Sequence, residues 1–138
     1  MTGAEAETTA PDALDPTEEF QRLGKQLLRT AKNSRAQAAI QALVEERTIL
    51  DVPAVRHALI VDTSRGAQAN FDGLLGRQYA LGLDEQQRSF LGLVLSMVGI
   101  GMTTIAAVQD LDERCLPIIL RAILRLAGND TIAVGTRL

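Results

Sequence analysis

The sequence predicts an all-α fold: a five- or six-helix bundle around a central apolar helix spanning about 85–108. Three observations predict it. Helix-start patterns recur four times, at Asp15-Pro16-Thr17-Glu18, Ser34-Arg35-Ala36-Gln37, Asp84-Glu85-Gln86-Gln87 and Asp110-Leu111-Asp112-Glu113. In each, a capping side chain is followed three residues later by a carboxylate or amide that can return a bond to the cap's N–H. Apolar residues downstream of these starts recur at intervals of three and four, the period of a helix with one buried face. Finally, residues 89–108, SFLGLVLSMVGIGMTTIAAV, form a run of twenty without a charge.

The elements follow in order. A first helix over about 16–32 begins with Pro16, whose missing N–H has no partner to lose in a first turn. Phe20, Leu23, Leu27, Leu28 and Ala31 form its apolar face, and Arg22, Lys25, Arg29 and Lys32 line another. An Ala-rich second helix runs from Ser34 to about Arg47 with Ile40, Leu43 and Val44 inward. Asp51-Val52-Pro53 opens a short third one through Val61, and residues 62–66 read as a turn. A fourth helical stripe over 67–80, weakened by Gly73 and Gly76, closes at Leu81-Gly82. The Asp84 start launches the uncharged run. The Asp110 start launches a last helix to about Ala127, stopped by Gly128-Asn129 and kinked or restarted at Pro117.

The rival architecture is α/β, with residues 104–108 and 131–134 as parallel strands joined by the 111–127 helix in a C-terminal βαβ unit. The domain division expected is a disordered acidic leader over 1–15 and a single helical domain over 16–138.

Composition narrows function. Of 138 residues 46% are apolar, but only 3% are aromatic and none is Trp, so stacking platforms for single-stranded nucleic acid are missing. The net charge of −3 is unevenly spread. Residues 1–19 carry six acids and no base, leaving 14 basic against 11 acidic side chains in the remainder. The single cysteine, Cys115, excludes an internal disulfide and any multi-cysteine metal site, and points to a reducing cytoplasm. With no basic region leading an apolar stretch, the N-terminal residues do not read as a secretory signal.

Candidate sites are few. Within the uncharged run Gly92, Ser96, Gly99 and Thr103 fall at four, three and four, a small-residue face for close helix packing. The run is also long enough for a membrane span, although neither flank carries a basic cluster or an aromatic belt. Its Gly-x-Gly-Met-Thr-Thr cadence resembles a phosphate loop, with Met102 where the required Lys would stand. Arg114, Arg121 and Arg125 recur at seven and four on the last helix. With Arg22, Lys25, Arg29 and Lys32 they make two basic faces for an anionic partner. The lone His57 has no ligands at metal spacing, and a Cys115–His57 catalytic pair lacks an orienting third group.

These readings point to a non-catalytic helical interaction or assembly module, self-associating or docking on a protein partner. It is expected to be a cytoplasmic homo-oligomer or hetero-complex, with no cofactor, no metal and no nucleic acid. The alternatives are a single-pass membrane protein anchored by 89–108 and a small-ligand-binding regulatory domain.

Overall fold

The computed structural model describes residues 15–129 and 131–137, so the expected leader lies outside it except for Asp15. The described chain is mostly helical with a small two-stranded sheet.

Helix α1, Pro16–Arg29, starts as its sequence predicts. The Glu18 N–H donates to Asp15 Oδ1 at 2.8 Å and the Asp15 N–H donates to Glu18 Oε1 at 3.4 Å. It buries Phe20, Gly24 and Leu27. Helix α2, Ser34–Glu46, is capped by Asn33 rather than Ser34: the Asn33 backbone is extended and its Oδ1 accepts the Ala36 N–H at 2.9 Å. Ser34 is already helical and cannot fill the half-extended cap position. Gly24 lets the two helices close, since a Cβ there would stand 3.0 Å from Val44 Cγ2.

Helix α3, Pro53–Leu59, is shorter than expected, because β-branched Ile60 and Val61 begin strand β1, Ile60–Thr63. Its antiparallel partner β2, Gly66–Ala69, replaces the start of the helix expected over 67–80, and two 3₁₀ turns, Phe71–Leu74 and Gln78–Ala80, replace its remainder. Two tertiary contacts override the helical period here. Gln26 of α1 accepts the Ala67 N–H at 3.0 Å, and the Thr30 hydroxyl donates to the Ala67 carbonyl at 2.8 Å, so α1 holds β2 extended. Gly73 abuts the Ala58 carbonyl, where any Cβ would collide at 1.9 Å.

Helix α4, Glu85–Met97, opens on the Asp84–Gln87 capping box, with both bonds formed. Residues 90–95 are all buried, but the helix ends eleven residues short of the expected boundary at 108. Gly99, at φ +80°, closes it: the Gly99 N–H donates to the Ser96 carbonyl at 3.0 Å and the Ile100 N–H to the Leu95 carbonyl at 2.9 Å. That is the two-bond Schellman stop, which removes the orphan carbonyls of the last turn. The chain then doubles back through 99–104 into a 3₁₀ turn, Ile105–Asp110.

The turn that leads into helix α5, Cys115–Leu126, is held by Asp112 and not by Asp110. The Asp112 Oδ1 accepts the N–H groups of Arg114 (3.0 Å) and Cys115 (2.9 Å), while Asp110 accepts the Ser89 hydroxyl. Pro117 is the third residue of Cys115–Leu126, in its first turn, where its missing N–H removes no bond within that helix, and the helix continues from it to Leu126 without the expected restart. Gly128 and Asn129 stop α5 by the same two-bond motif, bonding to the Arg125 and Leu124 carbonyls.

No strand occurs at 104–108 or 131–134, so the βαβ alternative is overturned; the only pairing among the described residues is the β1–β2 hairpin. Likewise, no helix among the described residues is long and apolar enough to cross a membrane. One connected core joins Leu27 of α1, Ile40 and Leu43 of α2, Phe90 and Leu95 of α4 and Ile119 of α5.

Candidate functional site

The best-defined side-chain cluster lies where α2 and α5 run antiparallel. Glu45 and Glu46, adjacent at the end of α2, face opposite ends of the α5 arginine row. The Glu46 carboxylate is almost fully enclosed. It accepts the Ile49 N–H at 2.8 Å, the Thr48 hydroxyl, and Arg114 Nη2 at 3.3 Å. Glu45 takes two guanidiniums, Arg121 Nη2 on Oε1 at 3.0 Å and Arg125 Nη2 on Oε2 at 2.9 Å, and its Oε2 also accepts the Gln41 amide. Burial pushes the Glu45 carboxyl up, but the amide and the two cations outweigh it and hold it below its ordinary value.

The two basic faces therefore have different surroundings. Arg114, Arg121 and Arg125 are held on α2 carboxylates. Arg22, Lys25 and Lys32 make no ion pair among the described residues, and Arg29 donates to the Arg65 carbonyl at 3.2 Å. Glu45 and Glu46 escaped the sequence reading; two adjacent acids closing an Ala-rich helix, opposite an Arg row of matching pitch, were the available signal.

Beside these pairs, residues of the same two helices line a surface cleft of about 570 Å³. Its floor is apolar, formed by Leu28, Ala38 and Leu124, and its walls carry Gln37, Arg121 and Arg125. No acidic side chain among the described residues lines it.

The small-residue face does not survive as a face, because the helix expected to carry it stops at Met97. Gly92 instead receives Thr103 of the returning chain: a Cβ on Gly92 would stand 2.5 Å from Thr103 Oγ1. Ser96 bonds back to the Gly92 carbonyl at 3.1 Å, and Gly99 serves as the helix stop. The close neighbour of this helix is thus its own chain. The Gly-Met-Thr loop follows a helix C-terminus, the negative end of the helix dipole, which is the wrong end for a phosphate.

Cys115 is 2% exposed, and burial pushes its thiol up to about 11, opposite to what a nucleophile needs. His57 is exposed on α3. No group of three potential metal ligands occurs among the described residues.

Exposed apolar side chains group on α5 and on the loops among the described residues. On α5, Leu116, Leu120, Ile123 and Ala127 recur at four, three and four on the side away from the core, and Leu120 and Ile123 are 42% and 39% exposed. This heptad-like row was readable in the sequence and was masked there by the Arg row. On the loops, Leu75, Tyr79 and Met102 share a shallow cleft, with Met102 almost wholly exposed.

No family model, curated protein or solved structure gives a significant match to this chain.

Proposed function

We propose that the protein is a helical assembly module, a bundle built on the α2–α5 pair, that self-associates through the outer face of α5 in a reducing cytoplasm. The observation that carries this reading is the Leu116, Leu120, Ile123, Ala127 row. Its spacing of four, three and four is that of a helix–helix seam. A second copy of the same row, brought in antiparallel about a twofold axis, supplies a complementary surface and sets the two helix dipoles in opposition. The core side of α5 is separately filled by Ile118, Ile119 and Ala122, so the outer row is free to pair. The single buried thiol supports the compartment.

Light scattering across a concentration series tests it. The full chain is expected to be dimeric, and Ile123→Lys is expected to be monomeric with unchanged helical circular dichroism. A wild-type monomer at every concentration, or an Ile123→Lys dimer, overturns the reading. A second reading, favoured by the exposure of Tyr79 (87%) and Met102 (99%), places the interface on the 75–79 and 101–105 loops. It is the better one if the Tyr79→Ser, Met102→Ser double variant is the monomer.

A further inference from the structure

We propose that the cleft between α2 and α5 binds a small amphiphilic monoanion, a carboxylate carrying a short apolar tail. This does not depend on self-association, which uses a different side of α5.

The charge count at the cleft sets the head group. Two guanidiniums, Arg121 and Arg125, converge on one carboxylate, Glu45, and leave one positive charge uncompensated among the described residues. Both guanidiniums are held in place by that carboxylate and are about 40% exposed. Arg121 uses its Nε and Nη2 on Glu45, whereas Arg125 uses Nη2 alone, so Arg125 keeps its Nε–H and Nη1 donors for a second acceptor among the described residues. A fixed guanidinium with spare donors is a carboxylate receptor whose side-chain ordering cost is already met. A dianion would overmatch the single charge.

The floor sets the tail. Leu28, Ala38 and Leu124 form an apolar base from three different elements, and Ile132 stands at the rim. Ala38, 2% exposed, is the most enclosed of the three. The volume of about 570 Å³ lies within the range of small-molecule sites, and a chain of several methylenes fits it. Gln37 and Ser34 line the other wall, offering neutral polar groups that do not repel an anion.

The experiment is titration of ¹⁵N-labelled full-length protein with octanoate below its micelle concentration, followed by amide shifts. Saturable shifts are expected at Gln37, Ala38, Gln41, Leu124 and Arg125. Octanol and acetate, each lacking one half of the ligand, are expected to bind about tenfold more weakly or worse, the value of one charge-assisted contact. Arg125→Gln is expected to weaken octanoate by a similar factor. Gln37→Glu, an exposed change that leaves the Glu45 pairs intact, is expected to do the same by adding a negative charge to the wall. Octanol binding as tightly as octanoate, shifts that do not saturate or that map elsewhere, or unchanged affinity in both variants overturns the proposal.

Discussion

Thr103 closes over Gly92: the hydroxyl of the returning loop occupies the volume that any side chain at position 92 would need, 2.5 Å from its Cβ position. The turn after α4 is thereby locked to the middle of the helix it follows. Gly92→Ala gains helix propensity of about 1 kcal/mol, yet the overlap with Thr103 outweighs it, and a net loss of about 1–3 kcal/mol is expected. Thr103→Ala removes both of the closest atoms. In urea denaturation the Gly92→Ala, Thr103→Ala double variant should be more stable than Gly92→Ala alone, and additive losses would show that the two residues are not coupled.

Glu46 is a buried carboxylate whose partners come from two elements, the Thr48–Ile49 turn and α5. Its truncation leaves the Ile49 N–H and the Thr48 hydroxyl without this acceptor, while Arg114 keeps its bond to the Glu46 backbone carbonyl. Glu46→Ala is expected to destabilise the fold by about 1–3 kcal/mol, the cost of leaving the buried Ile49 N–H unpaired, since Arg114 is half exposed and not left as a buried charge. Arg114→Ala removes the more exposed partner but strands the same carboxylate, and should cost less because Thr48 and Ile49 still bind it. Thermal melts of the two variants rank them.

Glu45 connects stability to pH. Its carboxyl is held below the ordinary 4.5 in the folded chain, so the unfolded chain binds the proton first on acidification. The stability it contributes is therefore fully present above about 4.5 and is lost as pH falls through the lower folded value. Glu45→Gln should flatten the acid limb of the stability curve measured by denaturant titration, and an unchanged acid limb would remove Glu45 from the account.

Cys115 should be a slow thiol. With its pKa moved from 9.0 to about 11, the thiolate fraction at neutral pH falls on the order of a hundredfold, before burial is counted. Mass spectrometry of iodoacetamide-treated protein is expected to show little alkylation in the native chain and complete alkylation in denaturant. Rapid native labelling would mean that the start of α5 opens.

Much of this molecule was legible in order along the chain. The capping boxes at Asp15 and Asp84, the glycine stop at Gly128 and the helical period of α1, α2 and α5 all depend on groups within four residues of one another. Such bonds need only neighbouring residues, and these formed, whereas the starts expected at Ser34 and Asp110 gave way to Asn33 and Asp112 one or two positions away. The site was harder to read. Arg121 and Arg125 were visible as a row, but the carboxylate that orders them lies 76 and 80 positions away.

What the sequence by itself determined is where helices begin and which residues face inward, because capping and amphipathic burial are local or periodic. Tertiary structure alone decided what happens at 67–80 and at 98–104. There the competing contacts are long-range: Gln26 and Thr30 hold β2 extended from a different helix, Ala58 excludes any side chain at Gly73, and Gly99 turns the uncharged run back so that Thr103 meets Gly92. A run apolar enough for a longer helix was broken because glycine at a positive φ satisfies the last carbonyls sooner, and because the returning loop finds a packing partner in the helix it has just left.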